Sequence, residues 1–372
     1  MNNKTHSRIV SIDVFRGITI GFMILVNNPG SWEHIYSPLR HAKWHGCTPT
    51  DLVFPFFLFV MGLAMRTSFK KYDYSPSNML IKKVYYRSII IFLLGLLLNA
   101  LPVFFQSSEV SSFRIMGVLQ RISLGYLLSS IILLYINEKG TIYISGFILI
   151  IYWLLLLYGV NDNPYTIENN LVRKIDLTIL GEKHIYTGNS IPFEPEGFLS
   201  TLTATVTIIL GYLCGKLLHK DVINNIFPTR LIILGFLGIL IGLIWGFIFP
   251  INKHLWTSSF VLYTAGIATI CYALIYWLIE IKKCRKIGIP FIIFGGNSIF
   301  IYVASSLLST VFYLITINYN GDTISLYSYI YKIFFTPIAG DLNGSLLFAL
   351  SQVLFFWLIL LLMHKKGIRI KI

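Results

Sequence analysis

Residues 51–69 read DLVFPFFLFVMGLAMRTSF. The stretch opens on one acid, Asp51, closes near one base, Arg66, and carries no charge between them. Wound as a helix rising 1.5 Å per residue, it is long enough to cross a bilayer, which takes about 20 mostly apolar residues. Comparable runs recur near 9–28, 84–105, 115–136, 141–159, 198–218, 229–250, 256–280, 289–316 and 343–363. The run at 289–316 is long enough to tilt or to end in an interfacial turn. Of the 372 residues 55% are hydrophobic and 12% charged, and the mean hydropathy is +0.72. A water-soluble globule of this length lacks the polar surface to cover so much apolar material. The expected fold is all-α, a polytopic transmembrane bundle of about ten helices. No hydrophilic stretch is long enough for a separate soluble unit, so 1–372 is read as one domain.

The net charge of +14 does not point to nucleic acid, because the basic residues sit in short connections between apolar runs. With the N-terminus taken as cytoplasmic, that side gathers twenty of the 30 Lys and Arg residues, from Lys4 and Arg8 to Lys371, and the other face eight. Arg16 and Arg121 fall inside helices. The split fits an even number of spans and two cytoplasmic termini. Three long loops then face outward, near 29–50, 160–197 and 317–342. Chemistry on that side is expected there, since loops held by a rigid scaffold carry function. Residues 9–28 carry Asp13 and Arg16 and lead to no small-residue cleavage site, so they read as a retained helix. Of the cysteines only Cys47 falls at the outer face, so no internal disulfide framework is expected. The G-x-x-x-G pairs Gly17/Gly21, Gly211/Gly215, Gly238/Gly242 and Gly242/Gly246 are explained by close helix packing. No internal repeat supports an inverted-repeat transporter.

Ionisable groups inside a membrane are costly and mark function by default. Asp13 and Arg16 share a helix face. Two readings stay open, a local ion pair or a cation that meets an anionic ligand from the cytoplasm. Asn27 ends the same helix, either as a cap or as an amide that donates to an oxyanion. The segment from His41 through Lys43-Trp44-His45-Gly46 to Asp51 places two histidines, a tryptophan and an acid at the outer surface. A histidine there can act as general base with a carboxylate orienting it, while Asp51 can equally cap a helix. Gly46 and Pro49 argue against a helix joining His41 and His45, and no third ligand completes a zinc site. Arg121 lies roughly 10 Å beyond Arg114 along its helix, with Gln120 beside it. Its anionic partner could be Asp13, Asp51, Glu196 or a ligand. Glu194-Pro195-Glu196-Gly197, Asn252-Lys253-His254-Leu255-Trp256 and Gly295-Gly296-Asn297-Ser298 are further polar segments at or within spans.

Taken in order, these segments resemble the heparan-α-glucosaminide N-acetyltransferase family and its bacterial relatives. The residues that carry the resemblance are Ser11-Ile12-Asp13-Val14-Phe15-Arg16-Gly17, Val26-Asn27, and His41 through Trp44-His45-Gly46 to Asp51-Leu52-Val53-Phe54-Pro55-Phe56. They continue with Gly117-Val118-Leu119-Gln120-Arg121, Glu194-Pro195-Glu196-Gly197, Asn252-Lys253, Leu255-Trp256 and Asn297-Ser298. The resemblance implies a multi-pass membrane acetyltransferase, in a bacterium one of the inner membrane. Acetyl-CoA on the cytoplasmic side would be the donor, and the amino group of a glucosamine-type sugar or glycan on the far side the acceptor. It implies His41, Asn27 and Asp51 as candidate catalytic residues. Asp13, Arg16, Trp44, His45, Gln120, Arg121, Glu196, Lys253, Trp256, Asn297 and Ser298 become candidate substrate- or CoA-binding residues, with no metal. The sequence departs from the family at His45, where asparagine is expected, and at Tyr302-Val303-Ala304-Ser305, where a histidine is frequent. Membrane lipid is the expected surrounding partner, and a homodimer is left open. Competing readings are an amino-sugar transporter, an O-acyltransferase of envelope glycans and a non-catalytic scaffold. The first would move substrate without consuming a thioester; the last would need neither a buried Arg121 nor the His41 loop.

Overall fold

The computed structural model describes residues 9–105, 113–188, 191–220 and 226–370. Lys4, Arg8 and Lys371 of the charge count lie outside them. The chain is helical almost throughout. It runs through α1 (Val10–Asn27), α2 (Val53–Phe69), α3 (Asn78–Phe105), α4 (Val118–Tyr135), α5 (Glu138–Tyr158) and a short α6 (Leu171–Leu180). It continues through α7 (Phe198–Lys220), α8 (Ile226–Gly246), α9 (Ser258–Tyr276), α10 (Arg285–Gly296) and α11 (Ser298–Leu314). A hairpin of β1 (Thr316–Tyr319) and β2 (Asp322–Ser325) follows, then α12 (Leu326–Ile330) and α13 (Thr336–Lys365). Among the described residues nine helices are long and apolar enough to cross a membrane, or up to ten when the bent pair α10–α11 is counted as one span. The expected all-α polytopic bundle is what the chain forms.

The helices α2 and α7 form its centre and are mostly buried. In contrast α3, α5, α8 and α13 turn large apolar side chains outward, among them Leu97, Phe147, Phe236 and Phe355. Lipid solvates such a surface, whereas water would not. Small residues set the closest crossings. A Cβ on Gly17 would stand 1.8 Å from the Phe291 carbonyl oxygen, one on Gly62 1.9 Å from that of Ile208, and one on Gly211 2.0 Å from that of Phe59. Packing therefore accounts for Gly17 and Gly211, as their spacing suggested.

Three expectations need correction. The span near 289–316 begins earlier, at Arg285, and is broken at Asn297, where α10 and α11 meet at 69°. The break lies at Asn297, whose φ of −133° and ψ of 44° leave the helical region, and just before it Gly295 packs so close to the Asp13 carbonyl that a Cβ would sit 2.2 Å from it. Asn297 therefore does not lie within a continuous helix; its Oδ1 accepts the amide of Ile370 at 2.8 Å. The loop drawn at 317–342 is ordered secondary structure. Asn320 and Gly321 take left-handed φ of 53° and 91° and close the β1–β2 hairpin, the turn that an Asn-Gly pair favours. The last helix, α13, is interrupted at Gly340, whose φ of 72° and ψ of −177° lie outside the helical region, so its final straight segment begins just beyond Gly340, close to the expected 343. The loop 160–197 holds the amphipathic α6, whose side-chain cap is Asn170 accepting from Arg173 N.

Candidate active site

Call the end where α1 starts the basic end and the end where it finishes the far end. At the far end, the chain from Pro29 to Thr48 returns to α2 through a 3-10 turn at Pro49–Leu52. Asp51 sits in that turn and is buried. Its two oxygens do different work. Oδ2 accepts the amides of Ala42 and Thr48, both at 3.0 Å, which fixes the loop and caps the turn. Oδ1 lies 2.7 Å from His41 Nδ1 and 3.3 Å from Lys253 Nζ. The capping and the orienting reading of Asp51 are thus realised together.

Lys253 Nζ is also 3.1 Å from His41 Nδ1. Both nitrogens converge on one carboxylate oxygen, an arrangement that suits an Nδ1–H aimed at Asp51 with Lys253 donating to the same oxygen. That tautomer leaves His41 Nε2 with the lone pair. The side chain of His41 is 40% exposed, and among the described residues Nε2 has no hydrogen-bond partner.

A short connection the sequence reading did not count among its functional loops holds Lys253 in place. Gly46 N donates to Ile251 O at 2.8 Å, and Asn252 Oδ1 accepts Leu255 N at 2.8 Å. Asn252 Nδ2 lies 3.3 Å from His45 Nδ1, and burial lowers the pKa of that imidazole. Trp44 donates from Nε1 to Tyr165 O at 2.7 Å and stacks on His254, ring centroids 5.2 Å apart. Burial, with Lys253 beside it, pushes His254 down to about 4, so it stays neutral in this wall. Burial pushes the neighbouring Cys47 thiol up to about 12, the Asp51 carboxylate adding to it, which keeps the thiolate out of the chemistry.

The far-end cavity measures about 130 Å³ and its polar lining is Asn27, His41, Glu196, Lys253 and Tyr302 with Thr50. Asn27 is exposed to it and, among the described residues, its amide makes no hydrogen bond. The neighbouring Asn28 is buried and structural, donating to Ile24 O and accepting from Ser309. Glu196 is tied to Arg114, which also clasps Glu194 through Nε at 2.9 Å. Burial works against the Glu196 carboxylate, but Arg114, Arg121 and Lys253 outweigh it and keep the pKa below the usual range.

One turn further along α2, a second cavity of about 260 Å³ opens toward the basic end. Its polar lining is Arg16, Arg87, Tyr126, Thr67, Ser68 and Ser298, with Phe57 and Met61 between it and the far-end cavity. Arg16 Nη1 lies 3.4 Å from Asp13 Oδ1 and 3.3 Å from Gly295 O. The ion-pair reading of Asp13 and Arg16 and the ligand-facing reading of Arg16 therefore coexist.

The remaining candidates lie outside both cavities. Arg121 is fully buried, its Nη2 donating to Ser200 and its guanidinium 4.8 Å from the Trp256 ring. Among the described residues no carboxylate pairs with it directly, so the expected contact with Asp13, Asp51 or Glu196 is replaced by a hydroxyl and an aromatic face; Glu196, Glu194 and Asp176 act at longer range. Trp256 packs edge-on against Phe54 of the far-end cavity and so carries Arg121 behind its wall. Gln120 is buried against Gly95 and Gly117, its Nε2 without a partner. Trp44 and His45 buttress the Lys253 loop. Sequence reading missed Arg87, Tyr126, Ser200 and Asp176. Arg87 left a signal, since it is a charge inside the apolar run at 84–105. No group of three metal-ligating side chains occurs among the described residues.

The chain is thus a multi-pass helix bundle whose far end carries a His–Asp–Lys cluster and whose basic end carries an arginine-lined cavity. A family model described as heparan-alpha-glucosaminide N-acetyltransferase, catalytic, matches residues 8–179. Heparan-alpha-glucosaminide N-acetyltransferase of Mus musculus is 28% identical, with 82% of this chain and 54% of that protein covered. The Homo sapiens protein of the same name is 27% identical with the same coverage. The chain spans about half the length of the curated relatives it matches. The resemblance to this family, read from the ordered motifs, holds over most of the chain.

Proposed function

We infer that the protein is a transmembrane N-acetyltransferase that moves acetyl from acetyl-CoA at the basic, cytoplasmic end to the amino group of a glucosamine-type sugar at the far end. The observation that carries this reading is the His41 imidazole, pinned at Nδ1 by buried Asp51 and open at Nε2, on a cavity one helix turn from a second cavity lined by two arginines. Arg16 and Arg87 suit the anionic phosphates of the donor. From Arg16 to Asn27 is roughly 16 Å along α1 at 1.5 Å per residue, a length for an extended pantetheine arm to cover.

At the far end the thioester carbonyl would meet the Asn27 amide. A new C–N bond forms, charge gathers on the carbonyl oxygen, and Asn27 with the Lys253 ammonium stabilises it. His41 Nε2 takes the proton from the attacking amine, and Asp51 stabilises the resulting imidazolium. The carbonyl then reforms as the C–S bond breaks, and the sulfur leaves as a thiolate that takes the proton held on His41 Nε2 to become CoA thiol. A relay through acetyl-imidazole would use the same open Nε2. The cationic acceptor finds Glu196 on the cavity wall.

Purified chain in proteoliposomes, given labelled acetyl-CoA outside and glucosamine on the opposite side, should form labelled N-acetylglucosamine. Movement of glucosamine with no thioester consumed would replace this reading with the transporter.

A further inference from the structure

We propose that a separate cavity at the basic end, built around Arg66, binds the phosphodiester of an anionic membrane lipid. This cavity measures about 290 Å³ and lies on the side of α2 opposite the Arg16 cavity. Its floor is apolar, Leu133, Ile136 and Leu213, and its rim is Arg66, Lys216 and Glu138 with Tyr74 and Tyr212. An apolar floor under a basic rim at a membrane interface suits an amphiphile; a free phosphate would use only the rim.

Arg66 is held by aromatic side chains rather than by an ion pair. Its guanidinium lies 3.6 Å from the Tyr74 ring centroid and 5.1 Å from that of Tyr212. Nη1 donates to the Tyr212 hydroxyl at 2.9 Å. Among the described residues no carboxylate pairs with Arg66, and its buried Nε has no partner. The helix ends in a left-handed cap at Asp73 and Tyr74, with φ of 52° and 57°, and that reversal lays Tyr74 on Arg66. Across the rim Lys216 pairs with Glu138, so the described lining residues carry two cations and one acid, a balance that suits an anionic head group. The site is independent of the acetyl-transfer reading, because it shares no lining residue with either cavity used there.

The test is binding of short-chain phosphatidylglycerol, phosphatidylcholine and inorganic phosphate to the purified full chain in detergent, read by native mass spectrometry and thermal shift. Wild type should retain phosphatidylglycerol over phosphatidylcholine and ignore inorganic phosphate. Arg66→Gln should weaken phosphatidylglycerol roughly tenfold to a hundredfold, the range for losing a charge-assisted hydrogen bond. If that variant does not fold, Lys216→Gln, which leaves the rim neutral, should weaken the lipid in the same direction. Equal affinity of wild type and a folded variant for phosphatidylglycerol would overturn the proposal. So would equal binding of phosphatidylcholine, or a thermal shift that inorganic phosphate reproduces.

Discussion

Arg114→Gln should unfold the far end before any other part. Glu194 has no exposed surface and takes two hydrogen bonds from Arg114, and Glu196 takes a third. Truncating the cation leaves one carboxylate buried without compensation and a second partly so. Breaking a buried pair by removing one partner costs roughly 3–5 kcal/mol, because the remaining charge keeps its desolvation penalty. For a large chain about 2 °C of midpoint accompanies each kcal/mol, so a fall of roughly 6–10 °C is expected. Adding Glu194→Gln removes one stranded charge and should restore about half of the loss, Glu196 still lacking its partner. The assay is thermal unfolding in one detergent, followed by tryptophan fluorescence, on wild type, both single variants and the double. A midpoint for Arg114→Gln within about 2 °C of wild type would refute the view that this cluster is a tightly coupled buried pair. A double variant less stable than Arg114→Gln alone would refute the coupling itself.

Gly17→Ala should lower the midpoint and the monodisperse yield, because its Cβ would meet a backbone oxygen that cannot turn aside; overpacking costs about 1–3 kcal/mol. The control is Gly296→Ala, where nothing lies within 4 Å, and equal behaviour of the two would contradict the α1–α10 crossing. Burial pushes the Asp176 carboxyl up to about 7, Glu194 adding to it. The unfolded chain loses that proton near 3.9. Between those values the folded state holds the extra proton, so this group's contribution to stability falls as pH rises from about 4 to about 7 and is level above. Asp176→Asn should therefore gain on wild type in midpoint between pH 5 and pH 8, and a difference that is constant with pH would show the carboxyl to be unperturbed. For orientation, a cysteine at Asn137 should react only with membrane-permeant reagents and one at Asn169 with impermeant ones; reversed labelling inverts the bundle.

The spans were legible because lipid imposes one simple demand, a length of apolar helix, and each run satisfies it alone. The break at Asn297 was not, since α10 and α11 are both apolar and one residue of non-helical backbone between them leaves no mark in the hydropathy. The Asn320-Gly321 hairpin was readable from its turn pair and was passed over as loop. At the site, Asn27 and Asp51 stood out at helix ends, and the resemblance, not spacing, singled out His41 over His45 on the loop between them. Which oxygen of Asp51 caps and which orients could only come from geometry. Lys253 reaches Asp51 from a chain distance no periodicity reports, through the pairing of Gly46 with Ile251. Asp176 escaped because α6 lies in a segment read as connection, and an acid there looks like any surface charge.

The central claim is that the open nitrogen of His41 performs the transfer. The most direct measurement is the initial rate of acetyl transfer from acetyl-CoA to glucosamine in detergent for wild type, His41→Ala and His45→Ala, each checked for monodisperse elution. Loss of a general base typically costs ~10²–10⁴-fold, and loss of a covalent carrier more. The account predicts that His41→Ala falls by at least that range. His45→Ala should fall only partly, because His45 acts through Asn252 on the Lys253 loop. Near-wild-type transfer by His41→Ala with a dead His45→Ala would contradict the assignment, and activity in both would remove this loop from the chemistry altogether.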